Sequence, residues 1–199
     1  MSSPKARPTL FVIAGPNGAG KTTFYNTVLR GRVSAPFVNA DIIQLDELKD
    51  RSMEASYTAG ALAAERRDAH IAKRESFVTE TVFSHISKLE LLKHARAAGF
   101  RIVVFHLDIV SDDLAVARVK ARVMEGGHPV PVDKIKQRYA RNKVLIRQAV
   151  TMADAAAVYD ASGLNVSPRR LAKFVHGRME LVEDDYPEWF NALYGKLME

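Results

Sequence analysis

Eight consecutive residues, Gly15-Pro16-Asn17-Gly18-Ala19-Gly20-Lys21-Thr22, carry the spacing Gly-x-x-x-x-Gly-Lys-Thr. That spacing suits one chemistry, the holding of a nucleoside triphosphate. The glycines let successive backbone N–H groups converge on phosphate oxygens, and a helix starting at the loop adds the positive end of its dipole. Lys21 is placed to reach the β- and γ-phosphates, and the Thr22 hydroxyl to ligate Mg²⁺. Residues 15–23, including Thr23 at the helix start, are the expected ATP-binding set.

Two carboxylates stand where acceptor chemistry could occur. Asp41 follows a short apolar run, 35–40, and begins a helical stretch. It could cap that helix, since Asp accepts backbone N–H bonds well. It could equally take the proton of an acceptor hydroxyl, because ligands of open α/β sheets bind at the carboxyl ends of the strands. Glu80 lies near the end of a β-branched segment, 76–82, that reads as a core strand. A lone carboxylate buried there is costly unless it is paired or liganded. It is expected to position a substrate hydroxyl or a water on Mg²⁺. Asp108, after the strand-like run 100–107, is the remaining metal candidate, or a cap for the turn before Ser111.

Arg118 and Arg122, four residues apart, share a helix face. Gly126 and Gly127 follow, and the next helical stretch carries Arg138 and Arg141. Two arginine-bearing helices joined by glycine suggest a lid over phosphates, because the guanidinium fork binds phosphate oxygens bidentately and keeps its charge. An ordinary helical hairpin with surface arginines has the same pattern.

These groups need a scaffold, and the chain supplies strands alternating with helices. Residues 9–14 read as a buried strand leading into the glycine loop, 53–74 as an alanine-rich helix, and 86–98 as an amphipathic helix closed by Gly99. Residues 112–124 and 133–152 read as the lid helices, 156–160 as the last short strand, and Ser167-Pro168 as the start of a further helix. The tail also reads as helical. The expectation is one three-layer α/β/α domain over 1–199, of the P-loop NTPase and kinase type. Its sheet should be mostly parallel, with a helical lid at about 111–150.

Together these residues resemble the zeta toxins, and more closely the small zeta-toxin-like kinases of bacterial chromosomes. The resemblance runs over about 9–160. It rests on the P-loop, the Asn39-Ala40-Asp41 turn, Glu80-Thr81, and Arg118-x-x-x-Arg122 followed by Gly-Gly-His-x-Val-Pro and Ile135-x-x-Arg138-Tyr139-x-Arg141. It implies an ATP- and Mg²⁺-dependent kinase that phosphorylates the amino-sugar of UDP-N-acetylglucosamine, with an antitoxin protein as partner. By position, Asp41 is then the catalytic base, with Lys21 and Arg118 as further catalytic residues and Arg122 on the nucleotide. Asn39, Asp41, Glu80, Thr81 and His128 fall on the acceptor. The lid loop is shorter than in the larger toxins, and the place of their second lid arginine falls near His128.

Composition narrows the rest. The chain has 199 residues, no cysteine and a formal charge of +6. Disulfides and thiolate metal sites are therefore excluded, and a reducing cytoplasm fits. No apolar run matches a membrane span, so no membrane partner is expected. Nucleic acid is not expected either. The basic segment 118–147 offers only Tyr139 for base stacking, and its charge suits phosphates equally. Two alternatives stay open: a kinase with another acceptor (a nucleoside, an antibiotic or a nucleic-acid end), and a P-loop NTPase switch acting through a partner.

Overall fold

The computed structural model describes residues 7–127, 129–181 and 183–198. Seven strands form one sheet in the order β2-β3-β1-β4-β5-β6-β7. The strands are β1 (Thr9–Ala14), β2 (Phe37–Val38), β3 (Phe77–Thr81), β4 (Arg101–Asp108), β5 (Ala155–Asp160), β6 (Arg169–Val175) and β7 (Arg178–Leu181). The first five run parallel, and β6 and β7 are antiparallel. The helices are α1 (Lys21–Phe24), α2 (Ala40–Ile42), α3 (Met53–Ala72), α4 (Ser87–Ala97), α5 (Asp112–Met124), α6 (Val132–Met152) and α7 (Glu188–Tyr194). Both α1 and α2 continue into π-helical turns, Tyr25–Leu29 and Ile43–Leu48.

The period-2 alternation of β-strands sorts every core side chain onto one of two faces. On β1, Leu10, Val12 and Ala14 pack with α3, α4, α6 and α7, whereas Ile13 packs with α1 and α5. The same alternation fixes the site residues. Glu80 pairs with Ile13 across the β1–β3 ladder and shares a face with Val78, the face of α1. The connections after the neighbouring strands β1 and β4 run to opposite sides, toward β2 and β5, which makes this edge the switch point of an open parallel sheet.

Residues 169–175 form a strand, where a helix after Pro168 is expected from the sequence. The fixed φ of proline suits a strand entry as well as a first helical turn. What decides is burial of Leu171, Ala172 and Phe174 against the sheet. A two-residue turn, His176-Gly177, then closes the β6–β7 hairpin with both residues at positive φ. Residues 155–160 are consequently not the last strand.

The expected lid is also more firmly built than a free-standing insert. The first turns of α6 reach over the crevice, but Ile146, Ala149 and Val150 are fully buried in the main core. Burial of the Ile146 and Val150 side chains contributes about 1.5–3 kcal/mol each, which anchors the helix to the sheet. Among the described residues, no helix is long and apolar enough to cross a membrane.

Candidate active site

The glycine loop is held by close packing on both sides. Gly15 has no room for a side chain, because a Cβ there would lie 2.0 Å from the Leu107 carbonyl oxygen of β4. Gly18 and Gly20 have φ of 76° and 73°, the left-handed region that glycine enters freely. The loop is thus shaped to turn backbone donors inward, as a phosphate cradle requires. Pro16 and Ala19 are buried beneath it, while Asn17, Gly18 and Gly20 line the cavity.

Lys21 is only 8% exposed and donates from Nζ to the Pro16 carbonyl at 3.0 Å. Burial lowers its pKa. Glu80 and then Asp41 oppose that shift by their negative charge, and Arg122 and Arg138 add to it. Five charged groups therefore converge around one point above the loop. Next along α1, the Thr22 hydroxyl donates to Glu80 Oε2 at 2.8 Å. Burial raises the Glu80 pKa, against the attraction of Lys21 and the Thr22 bond. These residues fit Mg²⁺ as P-loops hold it, through a threonine hydroxyl and the phosphates rather than an all-protein cage. No group of three or more His, Cys, Asp or Glu side chains placed to hold a metal occurs among the described residues.

Asn39, not Asp41, caps α2. Its Oδ1 accepts from Asp41 N at 2.7 Å and Ile42 N at 3.3 Å, while Asp41 sits in the first turn. The Asp41 carboxylate is thereby left to the cavity wall, exposed. Thr81 lines the same wall, and its hydroxyl accepts from Phe83 N. Asn39, expected on the acceptor, does reach the cavity but is chiefly committed to the helix.

Asp108 is not a metal candidate in this geometry. It lies two residues after His106 and shares that residue's face, the side of α6 and α7 rather than of α1. Its Oδ1 accepts from Ile109 N, and its Oδ2 lies 3.5 Å from His106 Nε2. Ser111, in turn, caps α5 with its own hydroxyl.

Arg118 departs furthest from expectation. Its guanidinium donates to four carbonyls: Gly18 at 3.2 Å, Ala161 at 2.7 Å, Ser162 at 2.9 Å and Gly163 at 2.8 Å. The side chain is a latch between the glycine loop and the β5–β6 connection. Arg122, one turn on, is the member of the pair whose charge bears on Lys21 and Glu80. Arg138 joins it from α6, a contribution that spacing alone does not single out. Gly127 makes room for Arg122, since a Cβ there would come within 2.7 Å of its Cγ. His128 lies outside the described residues.

Lys21, Thr22, Asp41, Glu80, Arg122 and Arg138 line one cavity of about 440 Å³ that runs from the glycine loop to α3 and α4. The sequence motifs do not announce its further wall. Met53, Ser56, Gly60, Ala63 and Arg67 form a single stripe of α3 along it, and Lys88 enters from α4. The 3-4-3-4 spacing of the stripe is the one signal that could have shown it.

The zeta toxin family model covers residues 1–167. The chain belongs to the zeta toxin family. An uncharacterized protein of Haemophilus influenzae is 28% identical to it over 125 residues, 63% of this chain and 88% of that protein. Among solved structures, this zeta toxin family member superposes on a chain of the AvrRxo1-ORF1:-ORF2 complex with a TM-score of 0.69. The match has 16% identity and covers 96% of this chain and 63% of that one. It is thus a shorter chain, spanning under two thirds of the length of that neighbour. A structure of the PezAT chromosomal toxin-antitoxin system of Streptococcus pneumoniae gives 0.57 at 12% identity, over 79% and 70% of the two chains. A sugar kinase of Janibacter sp. gives 0.50 at 19% identity, over 77% and 86%. At these identities the likeness is one of fold, and the fold is that of P-loop kinases.

Proposed function

We propose that this zeta toxin family member is an ATP-dependent kinase. It transfers the γ-phosphate to a sugar hydroxyl of a UDP-amino-sugar such as UDP-N-acetylglucosamine. The observation that carries the reading is the meeting of Lys21, Glu80, Asp41, Arg122 and Arg138 around the glycine loop, in a cavity that continues past Asp41. A nucleotide switch needs no base beside an acceptor channel, so the switch alternative loses ground.

In this reading residues 15–23 hold the ATP phosphates, Thr22 holds Mg²⁺, and Glu80 orients Thr22 from β3. Mg²⁺, when bound beside Thr22, would supply positive charge that neutralises the phosphates. Asp41 accepts the proton of the acceptor hydroxyl as that oxygen bonds to the γ-phosphorus and the bond to the β,γ-bridging oxygen breaks, releasing ADP. Lys21, Arg122 and Arg138 stabilise the charge spread over the transferring group. Arg118 keeps the loop in shape. The AvrRxo1-ORF1:-ORF2 complex and the PezAT toxin-antitoxin system support an antitoxin-like protein partner as part of the proposal, which also places the protein in the cytoplasm.

The test is purified protein with ATP and Mg²⁺ against a panel of nucleotide sugars, nucleosides and oligonucleotide ends, read by mass spectrometry for an added phosphate. Phosphate on UDP-N-acetylglucosamine, lost in Lys21→Ala, is the expected result. Transfer to another acceptor class alone overturns the sugar assignment, and ATP hydrolysis without any transfer overturns the kinase.

A further inference from the structure

Arg67 and Lys88 both line one small hollow whose lining, with Thr79, Thr81 and Phe83, includes no carboxylate. Arg67 ends the α3 stripe, some 14 residues or ~20 Å of helix from Met53. Lys88 stands in the first turn of α4. Both are half-buried, and both line the main cavity and the shallower groove of about 310 Å³ that leads out between α3 and α4. Burial depresses both pKa values. The positive charge of Arg67 depresses Lys88 further, and the acidic neighbour acting on Arg67 is the exposed Asp68.

Their neighbours show what is missing. Arg66, the next residue on α3 but facing outward, makes a two-pronged bond to Glu47. Lys93, on the outer side of α4, pairs with Glu90 at 3.0 Å. Asp68 and Glu90 line the outer groove, yet among the described residues neither Arg67 nor Lys88 makes a salt bridge to a carboxylate. Desolvating two like charges side by side costs free energy that a bound anion would offset. The backbone adds to this cost. Phe83, which lines the small hollow beside both cations, is buried at φ 59°. Such a non-glycine conformation costs of order 1–3 kcal/mol and tends to persist at ligand sites.

We propose that Arg67 and Lys88 form a second anion subsite, separate from the glycine loop, which binds a phosphate or diphosphate group of the acceptor. The assignment rests on the reading of the cavity as a kinase site with a hydroxyl acceptor. Arg67 offers a planar fork for two phosphate oxygens and Lys88 a point charge. Together they hold the acceptor's charged end while its hydroxyl lies toward Asp41. Neutral sugars, which leave both cations unmatched, are then poor acceptors.

The decisive measurement separates this subsite from catalysis. The full chain is saturated with Mg²⁺ and a non-hydrolysable ATP analogue, so that the glycine loop is filled, and is then titrated with inorganic pyrophosphate by calorimetry. Uptake of one further pyrophosphate is expected. Its affinity should weaken by about tenfold or more in the Arg67→Gln/Lys88→Gln variant, as the loss of charge-assisted bonds implies. Affinity for the ATP analogue should stay within about twofold. Arg67→Lys, which keeps the charge, guards against a folding failure and should retain part of the binding. No second pyrophosphate in the wild type, or equal affinity in the double variant, overturns the subsite. If pyrophosphate behaves as expected but no acceptor is ever phosphorylated, the subsite stands and the kinase reading falls.

Discussion

The Thr22 hydroxyl and the Glu80 carboxylate are 2.8 Å apart, joining the first turn of α1 to the end of β3. Glu80 is there because it shares the sheet face of Ile13 and Val78, directly under α1. It is held ionisable in a place that burial makes unfavourable for charge.

A raised folded-state pKa means that ionising Glu80 opposes folding. Its contribution is fully favourable below the ordinary value of 4.5 and is lost as pH rises through the elevated folded value. Glu80→Gln should therefore melt higher than wild type at neutral pH. The gap should open as pH climbs from about 4.5 and flatten above the folded pKa. Phosphoryl transfer should fall in the same variant, a trade of activity for stability. Melting curves between pH 4 and 8 check the first part. A gap that shrinks with rising pH would contradict it.

Asn39 and Asp41 divide two roles that one residue could have filled. Asn39→Ala removes the α2 cap and should lower stability by about 1 kcal/mol. Asp41→Asn touches no cap. It should leave the melting temperature and ATP affinity in place while reducing kcat by about 10²–10⁴-fold. Paired melting and kinetic measurements decide. An Asp41→Asn enzyme with normal kcat removes Asp41 as the base.

Arg118 and Arg122 should fail differently. Arg118→Ala frees the glycine loop from the β5–β6 connection, so thermal stability should drop and the KM for ATP should rise. Arg122→Ala leaves the latch intact and should act on kcat, by about 10²–10³-fold if it serves the transferring charge. Steady-state kinetics at saturating ATP separate the two. Equal kcat losses with unchanged melting in both variants would restore a phosphate role to Arg118.

Gly15→Ala is expected to be the most damaging change in the loop. Its Cβ would need to displace the Leu107 carbonyl, backbone that is locked in the sheet. Loss of nucleotide binding together with a lowered melting temperature should be seen. A variant that binds ATP normally would show that β4 yields at its end.

The glycine loop, its strand and the two carboxylates are legible in the sequence, because short-range spacing dictates their geometry. Met53–Ala72 and Asp112–Met124 follow helical periodicity to within two residues of the expected ends. What stays hidden depends on partners distant in sequence. The fate of Arg118 is set by carbonyls more than 40 residues on. Asp108 is decided by which sheet face an even or odd position takes. Residues 169–175 lack a clean alternation, since Leu171 and Ala172 are both buried, so nothing local separates strand from helix there.

The family match ends at residue 167, but the sheet does not. Strand β6 takes up the full length of β5 from Ala155 to Asp160, and β7, only four residues long and carrying Arg178 and Glu180, forms the outer rim. A protein cut at the family boundary would keep its glycine loop, Asp41, Glu80 and Arg122. It would also bare a row of unpaired backbone donors and acceptors along β5, beside the Ala161–Gly163 carbonyls that Arg118 grips. Such an open edge recruits other chains. The hairpin is therefore a gatekeeper against self-association, built beyond the stretch that the family model matches and joined by a connection that Arg118 fastens to the loop that meets the nucleotide.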